Sequence, residues 1–149
     1  LVRRFETRQP IEAVSSDLND FCIMTEGVSH FVYLSHTAAI DRRLSLLELE
    51  AQAEVDKFAV CTLLKWGASV AEWSSSLAGR LFDGVSYLEH HVAPERWRYV
   101  EANRLAKNYC RRLMPWVKAR NLDGLLSELR HAYRLGAEAK ISYFARDRR

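Results

Sequence analysis

Apolar residues recur at steps of three and four along most of this chain, the spacing that keeps one face of an α-helix apolar. The longest such stripe is Ile40, Leu44, Leu47, Ala51, Val55, Phe58, Thr62 and Trp66. Asp41 and Arg42 lie in its first turns and Gly67 stands where a helix stops, so the pattern predicts one amphipathic helix over 38–67. Ser69 and Glu72, three apart, form a capping box ahead of a second stripe of Val70, Trp73, Leu77, Leu81, Val85 and Leu88. Pro94 suits the first turn of a further helix. Trp97, Val100, Leu105, Tyr109 and Leu113 supply its buried side, and Pro115 kinks or ends it. Asn121 is placed to cap a last helix carrying Leu122, Leu125, Leu126, Leu129, Tyr133, Ala137, Ile141 and Phe144 inward.

The start of the chain is less regular. Residues 1–14 read as an arm, and residues 15–149 as a single helical domain. Residues 15–34 can form a helix starting at Ser15 or Ser16, or a hairpin of 21–24 and 31–34 around Glu26-Gly27. The helical spacing of Asp17, Leu18, Phe21, Cys22, Thr25 and Val28 favours the helix. With only six glycines and three prolines to interrupt it, the chain is expected to be all-α. The architecture this implies is an antiparallel four- to five-helix bundle with long helices and short connections.

Composition refines this picture. A hydrophobic fraction of 48% and a charged fraction of 28% are those of an ordinary folded domain. No window approaches the 18 apolar residues of a membrane span, so no membrane association is expected. The opening Leu1-Val2-Arg3-Arg4-Phe5 lacks the apolar core of a signal peptide, and the missing initiator Met suggests processing or a longer parent chain. Cys22, Cys61 and Cys110 form no C-x-x-C, which points to reduced, buried thiols in an intracellular, cytoplasmic protein.

Charge is distributed unevenly. Residues 1–93 hold 8 Lys/Arg against 13 Asp/Glu, whereas 94–149 hold 14 against 6. Glu48, Glu50, Glu54 and Asp56 read as a solvated acidic face that could pair across the bundle with the basic half. In that half, Arg104, Lys107 and Arg111 share one stripe, flanked by Arg96, Arg98, Arg112, Lys118 and Arg120. Arg130, Arg134 and the tail Arg146-Asp147-Arg148-Arg149 extend it. These groups suit phosphates or an acidic protein, and interleaved Trp97, Tyr99, Tyr109 and Trp116 could stack on unpaired bases. Trp97 and Tyr109 also lie on the expected core stripe, which assigns them to the interior instead.

Motifs for chemistry are sparse. Glu128 and His131 make one Glu-x-x-His and Glu26 and His30 stand four apart, short of the paired motifs of di-iron bundles, so no metal site is expected from them. His90 and His91, with Glu89, are the remaining candidate ligands, although adjacent helical residues diverge by about 100°. His90-His91 followed by Pro94-Glu95-Arg96-Trp97 resembles the F–G corner of globins and globin-type sensors. There a proximal histidine precedes a Pro-led G helix, and the resemblance implies haem, with the C-terminal third of the chain as helices G and H. The histidine-to-proline spacing is several residues shorter than in that family, and the 38–67 helix is longer than a globin B or E helix. No Gly-x-Ser-x-Gly or phosphate-binding glycine loop is present, and the segment 63–69 lacks the basic second helix of a DNA-binding helix-turn-helix.

The sequence therefore predicts a non-enzymatic interaction or adaptor domain without a cofactor. It would dock through its basic C-terminal and acidic N-terminal halves to a protein partner or a second copy. The alternatives are binding of RNA or single strands through helix 94–120 and, after that, a haem- or ligand-binding sensor bundle.

Overall fold

The computed structural model describes residues 14, 16–83 and 93–146, within which the chain forms six helices and no strand. They are α1 (Leu18–Ala39), α2 (Leu46–Leu64), α3 (Val70–Phe82), α4 (Ala93–Lys118), α5 (Leu122–Arg134) and α6 (Ala137–Ala145). The all-α bundle is the expected architecture. With 15–34 taking the helical rather than the hairpin option, the count is six instead of five because the expected last helix is broken in two, while a break inside 38–67 only moves the boundary between the first two helices.

The first break falls inside the expected 38–67 helix. At the end of α1 the Asp41 amide donates to the Ala38 carbonyl and the Arg42 amide to the Thr37 carbonyl, while Asp41 takes a left-handed φ of 50°. These are the two closing bonds of a Schellman stop, with aspartate where glycine is usual. Ser45 then restarts the chain by accepting the Glu48 amide at 3.1 Å. The loop leaves Ile40 more than half exposed instead of on a core stripe.

The second break separates α5 from α6. Leu135 is extended, Gly136 precedes α6, and the expected 121–144 helix becomes two. Asn121 does cap α5, its Oδ1 accepting from the Gly124 amide at 2.8 Å. The Ser69–Glu72 capping box is not formed, because Ser69 makes no side-chain cap bond. Pro115 does not end α4. It and Arg111 are both exposed, so the carbonyl deprived of its helical bond lies on the solvent side. α4 instead ends in a second Schellman stop, with Arg120 at φ 50° and the Asn121 amide reaching the Trp116 carbonyl.

α2 lies at the centre, packed against α1, α3, α4 and α6. It is buried around most of its circumference, so it buries Glu48, Glu50, Gln52, Lys57 and Thr62 as well as Ala51, Val55, Phe58 and Cys61. The core joins these to Leu18, Phe21 and Cys22 of α1, Val70, Leu77 and Phe82 of α3, and Leu105, Tyr109, Leu113 and Val117 of α4. Leu125 and Phe144 close it from α5 and α6. Cys22, Cys61 and Cys110 are buried free thiols, as expected.

The seam of α4 differs from the expected one. Trp97 is 61% exposed and Val100 42%. The inward positions run Arg98, Ala102, Leu105, Tyr109 and Leu113, an unbroken 4-3-4-4 spacing that gives the inner place near the helix start to an arginine. Val85, Leu88, His90, His91, the 1–14 arm apart from Val14, and the tail 147–149 lie outside the described residues.

Two left-handed residues without glycine generate a direct test. Asp41→Gly and Arg120→Gly should each stabilise the chain by up to about 1 kcal/mol by relieving Cβ crowding, raising Tm by roughly 2–4 °C in thermal denaturation. Gly124→Ala should lower it, since an added Cβ would collide with the Trp116 ring.

Candidate functional site

Enclosure of α2 creates a buried polar network. The Tyr33 hydroxyl donates to Glu48 Oε1 at 2.5 Å and accepts from Lys140 Nζ at 2.5 Å and Arg42 Nη2 at 2.9 Å. Lys140 Nζ also donates to Gln52 Oε1 at 2.6 Å and to the Tyr133 carbonyl at 3.2 Å. Gln52 passes the chain on to Asp56 at 2.8 Å, and Ser29 donates to the other Asp56 oxygen at 2.6 Å. Tyr33, Glu48 and Lys140 are fully buried. Desolvation is the main force on the protonation of Lys140 and Tyr33. It lowers the Lys140 ammonium to about 7, with Arg42 pushing the same way against the pull of Glu48 and Asp56. It also raises the Tyr33 phenol, as does the hydrogen bond to Glu48. Asp56 is raised by burial against the opposing bonds from Ser29 and Gln52.

A second cluster sits on the α1–α2 seam. Lys57 Nζ donates to Glu54 at 2.7 Å and Glu26 at 3.1 Å, while Glu50 lies 3.4 Å from His30 Nε2 and 3.6 Å from Arg98 Nε. Donor atoms of Glu26, His30 and Glu50 lie within 4.8 Å of one another, so these three could hold a metal ion. Burial raises both Glu50 and Glu54, and cationic neighbours only partly offset it.

These positions correct the reading of Glu48, Glu50, Glu54 and Asp56 as a solvated face. Glu48 and Glu50 are buried and Glu54 and Asp56 half-buried, because neighbours cover α2 on most sides. Nor do they pair with the basic stripe. Arg104 binds Glu101 of its own helix through two bonds of 2.6 and 2.8 Å, which holds the Glu101 carboxyl below its usual range. Lys107 binds Asp83 at the end of α3. Of the basic residues singled out in the sequence, Arg98 is, among the described residues, the one that pairs with an acid of α2. Arg112 is half-buried over the rings of Tyr109 and Tyr143 and donates to the Arg146 carbonyl at 2.9 Å. Arg96, Arg111, Lys118 and Arg120 are exposed. Arg130 and Arg134 join Ser127 and His131 around a shallow depression on α5. Tyr109 is buried, as its place on the core stripe required.

An unanticipated surface lies on the outer side of α1. Ile23, Val28, Phe31, Val32 and Leu34 are each about half exposed or more, Phe31 at 72%. Val28, Val32, Val60 of α2 and Tyr133 of α5 line a groove of about 170 Å³ whose floor reaches Ser29 and Asp56. The signal was present in the sequence, since residues 27–40 contain no Asp, Glu, Lys or Arg. Among the described residues, no helix is long and apolar enough to cross a membrane.

Comparison with protein-family models, curated proteins and solved structures found no match.

The buried lysine makes stability depend on pH. An unfolded chain keeps its lysines protonated to about 10.5, whereas Lys140 in the fold releases its proton near 7. Between these values the unfolded state binds the additional proton, so stability rises with pH, by at most about 1.4 kcal/mol per unit. Urea unfolding at pH 7, 8 and 9 should register the rise in the native protein. In Lys140→Met, of lower stability overall, that contribution should be absent.

Proposed function

We propose that this chain is a non-enzymatic docking module that seats an acidic amphipathic helix of a protein partner in the groove beside α1. The observation that carries this reading is the exposed apolar face of Val28, Phe31 and Val32, continuous with Val60 and Tyr133. Exposed apolar patches of this kind mark interaction sites, and helix-in-groove recognition uses anchors at such spacings. Charge supports an acidic partner. Tyr133 lies on α5 beside Arg130 and Arg134, which are exposed and make no ion pair among the described residues. The acids of α2, which were expected to offer a second docking face, are engaged inside the bundle instead.

A designed peptide helix with leucines at i, i+3, i+4 and i+7 and glutamates elsewhere provides the test. Val32→Glu should weaken its binding at least ~10-fold, and Arg130→Ala/Arg134→Ala should weaken it less while flattening its salt dependence. Equal binding of a scrambled peptide would refute the reading. A stable dimer by light scattering, dissolved by Phe31→Glu, would assign the face to a second copy of the chain.

One observation favours RNA or single-stranded nucleic acid as a second reading. Trp97 is exposed at the head of α4 beside exposed Arg96, and Arg111, Lys118 and Arg120 lie further along. In that case oligonucleotide affinity falls steeply with salt, and Trp97→Ala costs roughly 1–3 kcal/mol per stacked base. Failure of a labelled single strand to bind at about 50 mM salt rejects it.

A further inference from the structure

We propose that Glu26, His30 and Glu50 bind one divalent transition-metal ion of the zinc class at the seam between α1 and α2. Glu26 and His30 stand four residues apart on α1, so one helical face presents both. Glu50 faces them from α2, and the donor atoms of all three lie within 4.8 Å. Bonds of about 2.0–2.2 Å to nitrogen and oxygen require donors somewhat closer than this, a contraction that side-chain rotation supplies.

A second observation, separate from the cluster itself, points to a cation. Glu50 is 8% exposed, yet its basic neighbours His30 Nε2 and Arg98 Nε stand at 3.4 and 3.6 Å, beyond a close hydrogen bond. His30 Nε2, shielded from solvent, makes no hydrogen bond. Buried polar atoms are nearly always bonded, and exceptions call for an ion, a water or a catalytic role. A metal ion seated between Nε2 and the two carboxylates would satisfy all three.

Charge fits the same conclusion. Glu26, Glu50 and Glu54 face two fixed cations, Lys57 and Arg98, so with a neutral imidazole the cluster retains negative charge. Lys57 and Arg98 contact Glu26 and Glu50, as groups that orient ligating carboxylates do. Glu26 keeps about a third of its side chain in solvent, which gives an ion a way in. One imidazole and two carboxylates suit zinc or its first-row neighbours better than calcium or copper(I). Three protein ligands also leave a coordination position open to water or an exogenous ligand.

The full chain, stripped of metal by chelator, should take up one equivalent of Zn2+ in calorimetry and gain thermal stability. Co2+ should bind at the same stoichiometry, with visible d–d bands that Zn2+ abolishes. His30→Ala and Glu50→Gln, checked by circular dichroism for retained helix, should each lose at least ~10-fold in affinity. His90→Ala/His91→Ala should leave it unchanged. Absence of Co2+ bands in the native protein overturns the proposal whether or not the variants fold. Loss of binding confined to the His90/His91 variant overturns it equally. The docking reading is unaffected by either result.

Discussion

Lys140 is the point on which this bundle is organised. Its ammonium leaves α6 to meet Tyr33 of α1 and Gln52 of α2, so one side chain joins segments 107 and 88 residues apart. Glu48 and Arg42 complete the circuit from the start of α2 and the loop before it. Burying these charges is expensive, and such networks are often no more stable than a hydrophobic replacement of the same volume. Removing a single member is different, because it strands the others away from water at roughly 3–5 kcal/mol. The network therefore acts chiefly on specificity. Laying α6 against the α1–α2 hairpin brings Tyr33, Glu48 Oε1 and Lys140 into one bonded set.

That constraint explains which parts of the structure were legible in the sequence. Leu105, Tyr109, Leu113, Leu125 and Phe144 fell on the core because α4, α5 and α6 each keep an open side, and a one-faced helix declares itself by period. α2 does not. Covered on most sides, it has no polar face to set against an apolar one, and its glutamates read as solvated until four neighbours are placed around them. The break at Asp41 was hidden for a local reason. A left-handed stop normally announces itself with glycine, and here aspartate and, at the end of α4, arginine occupy the position. Gly136 was visible, but the apolar spacing continues across it from Tyr133 to Ala137, which disguised the turn that brings Lys140 inward.

Arg98 shows the same logic in a single residue. The periodic pattern offered Trp97 the inner place on α4, at the expense of a five-residue step to Leu105. The buried Glu50 shifts that choice, since a carboxylate inside the bundle is better accommodated with a guanidinium approaching it than with an indole. Trp97 is left outside as a consequence. Four acids of the first half, Glu26, Glu48, Glu50 and Glu54, are thus engaged inside the bundle by Arg42 and Lys57, with Arg98 contributed from the second half. The remaining cations of α4 and α5 face solvent, opposed mainly by acids on their own or adjoining helices.

α1 is the helix on which these features converge. One of its sides gives Glu26 and His30 to the α2 seam, and the next gives Val28, Phe31 and Val32 to solvent. The groove between Val32 and Val60 is itself formed by α1 and α2, so its width depends on how firmly those helices are held together. An ion bound by Glu26, His30 and Glu50 bridges the same two helices within a turn of the groove. Linkage then fixes the sign: if the ion favours the helix spacing that a docked helix also favours, each tightens the other by the same factor, and if it narrows the groove each weakens the other equally. Occupancy of both proposed sites would couple them through α1 to the extent that Tyr33, Glu48 and Lys140 leave the α1–α2 spacing free to change.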